Sequence, residues 1–152
     1  MTMDRSDVVS TLNDLIETSR DGEQGFRTCA ENAKSAQLKT FFLDAAQRCQ
    51  QAVTDLQSHV TQYGGSPDTT GTVAGAVHRG WVNLKSALSL NDDKAILEEC
   101  ERGEDHALEV YRDALAQDLP PEIRSVVQRM HDGAKQNHDR VKSLRDQFRS
   151  AT

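Results

Sequence analysis

The 152-residue sequence has only three prolines and three cysteines, and aromatic residues make up 5% of it. Proline this sparse leaves long uninterrupted spans, rich in Ala, Leu, Gln, Glu and Arg, with no alternating pattern of useful length. That composition excludes a β architecture and predicts an all-α fold. Cys29, Cys49 and Cys100 are odd in number and widely spaced, which excludes a disulfide framework and a paired-cysteine metal motif. Each is expected to be a small buried hydrophobe in a reducing cytosol. No apolar run approaches the roughly 20 residues of a membrane span, and the opening MTMDRSDVV has no apolar signal core. A cytoplasmic location is the expectation. There is no basic excess either: the formal charge is −6 and the pI about 5.3. General nucleic-acid binding needs a basic face and is therefore not expected. Arg140, Lys142, Arg145 and Arg149 are interleaved with Asp139 and Asp146, the pattern of a solvated helix face.

What the chain does have is rhythm. Leu97, Cys100, Glu104, Ala107, Tyr111 and Ala114 step by three and four residues, the spacing that stacks side chains on one helix face. Leu12, Ile16, Ser19, Glu23, Phe26, Ala30 and Ala33 keep the same step. Both seams carry a Gly-Glu pair at their centre, Gly22-Glu23 and Gly103-Glu104, so a carboxylate is expected in each apolar stripe. The glycines sit inside helices, where glycine costs about 1 kcal/mol relative to alanine; close packing of a neighbour would account for both.

The periodicity predicts helices at about 6–33, 37–63, 92–118 and 122–149, in one domain spanning 1–152. Asp4 or Ser6 suits the first N-cap and Asn91-Asp92-Asp93 the third. Gly64-Gly65-Ser66-Pro67 stops the second helix, and Pro120-Pro121 opens the last. A shorter amphipathic helix at about 73–89 is expected to pack onto the bundle through Trp81. Two short turns and one long middle connection predict two antiparallel hairpins joined by a crossover.

Four strings, DGEQGFR at 21–27, VAGAVHRGW at 73–81, ECERGED at 99–105 and NHDRVKSLRD at 137–146, resemble a bacterial family of ferritin-like bundle proteins catalogued as a domain of unknown function. The resemblance implies a ferritin-like four-helix bundle of two antiparallel hairpins. Metal-loaded members of that superfamily take one Glu from each of helices one and three and a Glu-x-x-His pair from each of helices two and four. By seam position Glu23 and Glu104 take the first two seats. On helix two the pair falls on Cys49 and Ala52, and on helix four on Ala134 and Asn137. A register one residue further on would give Lys135 and His138 instead.

Two carboxylates would leave a pair of dications badly under-neutralised, so the resemblance implies a degenerate di-metal site with no resident cofactor. Asn137 and Lys135 are the expected partners that compensate the glutamates. The protein is then a non-enzymatic structural or interaction protein, with a homodimer suggested by fold-level analogy. The alternative is a ferritin-like oxidoreductase or metal-handling protein holding iron, manganese or zinc through Glu23, Glu104, His138 and Cys49. A third reading makes use of small Ala52 and Ala134: a void between the glutamates that takes a small molecule or lipid.

Overall fold

The computed structural model describes residues 3–66, 81, 84–90 and 92–150. Among them are five helices and no strand: α1 (Arg5–Asn32), α2 (Ala36–Gln62), α3 (Leu84–Ser89), α4 (Asp93–Leu115) and α5 (Pro121–Ser150). The all-α expectation holds, and the four long helices lie within a few residues of their expected bounds. Only part of the crossover helix expected at about 73–89 falls on described residues. Helix is described only at Leu84–Ser89, and Trp81 lies outside it, its carbonyl accepting from the Leu84 N–H at 3.1 Å. Residues 73–80 and 82–83 of that expected helix lie outside the described residues.

Caps set the boundaries. The Asp4 carboxylate accepts from the Asp7 N–H, the Ser35 hydroxyl from Leu38 and the Asp92 carboxylate from Lys94, so each helix start finds a partner for an otherwise orphaned amide. Gly64, with φ at 79°, turns the chain out of α2. Asp93 does something its place in a capping triplet does not announce. Its buried carboxylate accepts from the backbone N–H groups of Lys34 and Ser35, at 2.8 and 3.0 Å, and so ties the start of α4 to the α1–α2 turn.

Cross-helix contacts fix the directions. Between α1 and α2, Gly22 faces Cys49 and Gly65 faces Val9, so one helix climbs as the other descends. Between α4 and α5, Glu101 pairs with Arg145 and Arg124 reaches back to the Leu115 carbonyl, again antiparallel. Across the hairpins, Thr11 meets Gln117, Ser19 meets Tyr111 and Cys29 meets Cys100, so α1 and α4 also run oppositely. The order is up, down, down, up, and the connection from Gln62 to Asp93 joins opposite ends.

The interior is divided. One apolar cluster, with Phe26, Leu38, Phe42, Trp81, Leu97 and Leu144, lies toward the α1–α2 turn. The other, with Leu12, Ile16, Leu56, Val60, Ile123 and Val127, lies toward the chain's N-terminal end of α1. Between them the bundle has a polar waist, formed where Ser19, Glu104 and Asn137 replace aliphatic residues in the seams.

Candidate functional site

A cavity of about 170 Å³ opens at this waist. Its polar lining includes Ser19, Arg48, Cys49, Glu104, Tyr111 and Asn137, and most of the remaining wall is apolar, from Phe26, Ala45, Ala52, Trp81, Met130 and Ala134. Ala52 and Ala134 line it beside Glu104, but Glu23 does not, so the space is not the expected void between the two glutamates. Each helix has a local reason for its contribution: Ser19, Glu104 and Asn137 fall on the buried stripe by their three-four spacing, and alanines opposite them are too small to fill the gap.

Glu104 is only 5% exposed. One carboxyl oxygen, Oε2, accepts from the Asn137 side-chain amide at 2.8 Å, and the Asn137 carbonyl oxygen accepts from the Arg48 guanidinium at 2.7 Å. The other oxygen, Oε1, is buried with no hydrogen-bonding partner among the described residues, on a residue that lines the cavity. Burial pushes the Glu104 pKa up to about 8, outweighing the Asn137 hydrogen bond and the charge of Arg48, which pull it down. The carboxyl is thus poised to hold a proton near neutrality. The Cys49 thiol is pushed up to about 12, by burial first and then by the charges of Glu104 and Glu23. Tyr111, its hydroxyl 3.5 Å from that of Ser19, is likewise pushed up to about 12 by burial.

The glycines of the two Gly-Glu pairs earn their positions by close approach. A Cβ on Gly103 would collide with the indole of Trp81, and one on Gly25 would lie 2.6 Å from the same ring. A Cβ on Gly22 would stand 2.9 Å from the Cys49 sulfur. Trp81, 3% exposed, meets Phe26 edge-on with centroids 5.1 Å apart, so the lone tryptophan closes one side of the cavity. That Trp81 packs onto the bundle is as the sequence suggested.

The other candidate residues are placed elsewhere. Glu23 is about a quarter exposed and is clasped by Arg27 one turn on, both guanidinium contacts near 3 Å, rather than facing Glu104 as a free carboxylate. Lys135 is exposed and pairs with Asp139 at 2.8 Å, so of the two expected compensating partners only Asn137 reaches a glutamate. Ala134 and Asn137 line the cavity, which settles the geometric register of α5; His138 points out of it. Its Nε2 lies 2.7 Å from Asp105, and Glu101, Asp105 and His138 bring three ligand-type atoms within 4.8 Å of one another on the α4–α5 seam. Arg145 pairs with Glu101 at the same place. Cys29 and Cys100 are fully buried free thiols with sulfurs 3.4 Å apart, and Cys49 is partly buried. Arg48 had no signal in the sequence, since it lies beside the apolar stripe of α2 and reaches the waist from the side.

Residues 7–117 match a family described as Domain of unknown function (DUF2383). The chain belongs to this family. The matched span holds both Gly-Glu pairs and Trp81, whereas Asn137 and the string at 137–146 lie beyond it. Among curated proteins nothing matches the chain. No helix of the described residues is long and apolar enough to cross a membrane.

As a metal centre the DUF2383 waist offers a poor donor set. Around the cavity stand the carboxyls of Asp21 and of Glu104, whose Oε2 is already taken by Asn137, the imidazole of His106, a thiol held far from its thiolate form, and alanine and asparagine where paired ligands would be needed; among the described residues three ligand-type atoms come within 4.8 Å of one another only at Glu101, Asp105 and His138, outside this lining. These residues do not fit a di-metal group.

Proposed function

We propose that this is a ferritin-like four-helix bundle whose centre has lost its di-metal site, and that it works as a non-enzymatic binding or interaction protein. The up-down-down-up order of the long helices supports the ferritin-like reading, since one long crossover between two hairpins has this consequence. The observation that carries the functional reading is the fate of the two glutamates: Glu23 is neutralised by Arg27, and Glu104 is held by Asn137. With Glu23 turned to Arg27, the carboxyls left at the cavity are those of Glu104 and Asp21, which balance a fraction of the charge that two dications bring. A cytoplasmic setting and a homodimer are consistent with this reading.

Elemental analysis of protein expressed with added iron, manganese and zinc tests it. The expected result is metal well below one per chain, unchanged in Glu104→Ala protein. One or two metals per chain that vanish in Glu104→Ala would overturn it.

One observation favours a second reading. The Glu101, Asp105 and His138 side chains could hold a single zinc, manganese or iron ion on the α4–α5 seam if Arg145 swung away. Under that reading the metal persists in Glu104→Ala and disappears in His138→Ala.

A further inference from the structure

We propose that the waist cavity is a binding site for a compact, uncharged, largely apolar molecule that carries a single hydroxyl group, docked on Glu104 Oε1. The inference rests on the metal-free reading of the same cavity and adds the chemistry of its occupant.

Size comes first. Apolar cavities of roughly 150 Å³ accept a single benzene-sized molecule, and the volume here, about 170 Å³, leaves room for such a ring or a short alkyl chain plus one polar head. The walls set the rest of the molecule: Phe26, Trp81, Ala52, Met130 and Ala134 present carbon surface, while the Ser19 and Tyr111 hydroxyls face each other, Thr18 donates to the Asp14 carbonyl and Arg48 donates to Asn137, so a second polar group would compete for partners already engaged.

The head group follows from how Glu104 is held. Asn137 donates to Oε2, so that oxygen is an acceptor in either protonation state. When Glu104 is neutral the proton therefore belongs on Oε1, which then donates into the cavity. When Glu104 is ionised, Oε1 is a bare acceptor. A hydroxyl can accept in the first case and donate in the second. A carbonyl serves only the neutral carboxyl, and an ammonium only the ionised one, beside the Arg48 charge that already serves the waist through Asn137. An anion would be repelled by ionised Glu104 and would have to give up its water in a mainly apolar cavity. Glu104 lines the cavity and its Oε1 is buried with no partner among the described residues, so a hydroxyl docked on it would satisfy a polar atom that the waist leaves open.

Benzyl alcohol, toluene and benzylammonium are the probes, titrated into protein whose metal content has been measured. The fluorescence of Trp81, the lone tryptophan and part of the cavity wall, reports occupancy, with the thermal midpoint as a second readout. Benzyl alcohol is expected to bind saturably and about tenfold more tightly than toluene, the difference one satisfied buried group makes, with benzylammonium weaker than the alcohol. In Glu104→Ala the preference for alcohol over toluene should vanish. Ala134→Leu, or Ala52→Leu from the opposite helix if the first does not fold, should lose both ligands while keeping a cooperative melt. No saturable alcohol binding to metal-free wild type, equal affinity for toluene, tighter binding of benzylammonium, or a preference that survives Glu104→Ala would each overturn the proposal. Metal at stoichiometric levels in the same sample would instead overturn the reading on which it rests.

Discussion

Gly22-Glu23 on α1 and Gly103-Glu104 on α4 are the same dipeptide at matching places in two antiparallel helices, yet they end in different chemistry. Glu23 has an arginine one turn on and is partly exposed, so its charge is answered within its own helix. Glu104 has Leu108 one turn on, itself buried, and no cation within that reach. Its carboxyl turns inward and depends on Asn137, a residue of another helix. The glycines diverge in parallel: Gly22 admits the end of a flexible side chain, Cys49, and Gly103 admits the flat ring of Trp81. A repeated motif therefore fixes where two side chains start, and the residue four positions on together with the packing partner decides what they do.

The largest expected effect that separates the two pairs is a pH slope. Glu104 has a folded-state pKa raised to about 8 from an ordinary value of 4.5. Between those two pH values the unfolded chain gives up a proton that the folded chain keeps, so stability falls as pH rises through this window. Glu104→Gln keeps a neutral, hydrogen-bonding group and removes that slope. It should match wild type near pH 5 and exceed it near pH 9, by on the order of a few kcal/mol, in urea unfolding at the two pH values. A parallel pH dependence for both proteins would show that the carboxyl is not held out of water as described.

Next comes the contrast between the glycines. Gly103→Ala drives a methyl into Trp81 and should destabilise by about 1–3 kcal/mol even after the gain in helix propensity, with a shift in tryptophan fluorescence. Gly22→Ala asks only that the Cys49 sulfur move, so its net change should stay within about 1 kcal/mol of zero. Equal losses in equilibrium unfolding would erase the distinction. The smallest effect belongs to Glu23→Gln: loss of a partly exposed i,i+4 ion pair should lower stability by about 0.3–0.5 kcal/mol, and less in high salt. A loss several times larger would mean that Glu23 is as dependent on the interior as Glu104.

Much of the fold was legible because helices are written locally. The three-four seams, Asp4, Asp92, Gly64 and Pro121 placed the long helices to within a few residues, since caps and stripes act over one or two turns. Trp81 was less readable. Trp81 extends the apolar spacing of Leu84 and Leu88 and so looks helical, but its position is set by the glycine surfaces of α1 and α4 rather than by its own chain. Asp93 looked like part of a capping triplet for the same reason: nothing local says that its carboxylate will meet the backbone of the α1–α2 turn.

By itself the sequence determined the secondary structure, the pairing of short-turned helices into hairpins, and the presence of Glu104 and Asn137 on buried stripes, because periodicity and turn chemistry are properties of neighbouring residues. The tertiary structure alone decided which of two adjacent residues on α5 looks inward, Asn137 rather than His138, and that Arg48 holds Asn137 from the side. It also decided that small residues from different helices leave one common space beside a carboxyl oxygen. Those outcomes depend on the rotation of one helix against another, which is fixed by the summed packing of faces far apart in the chain and is encoded in no single segment.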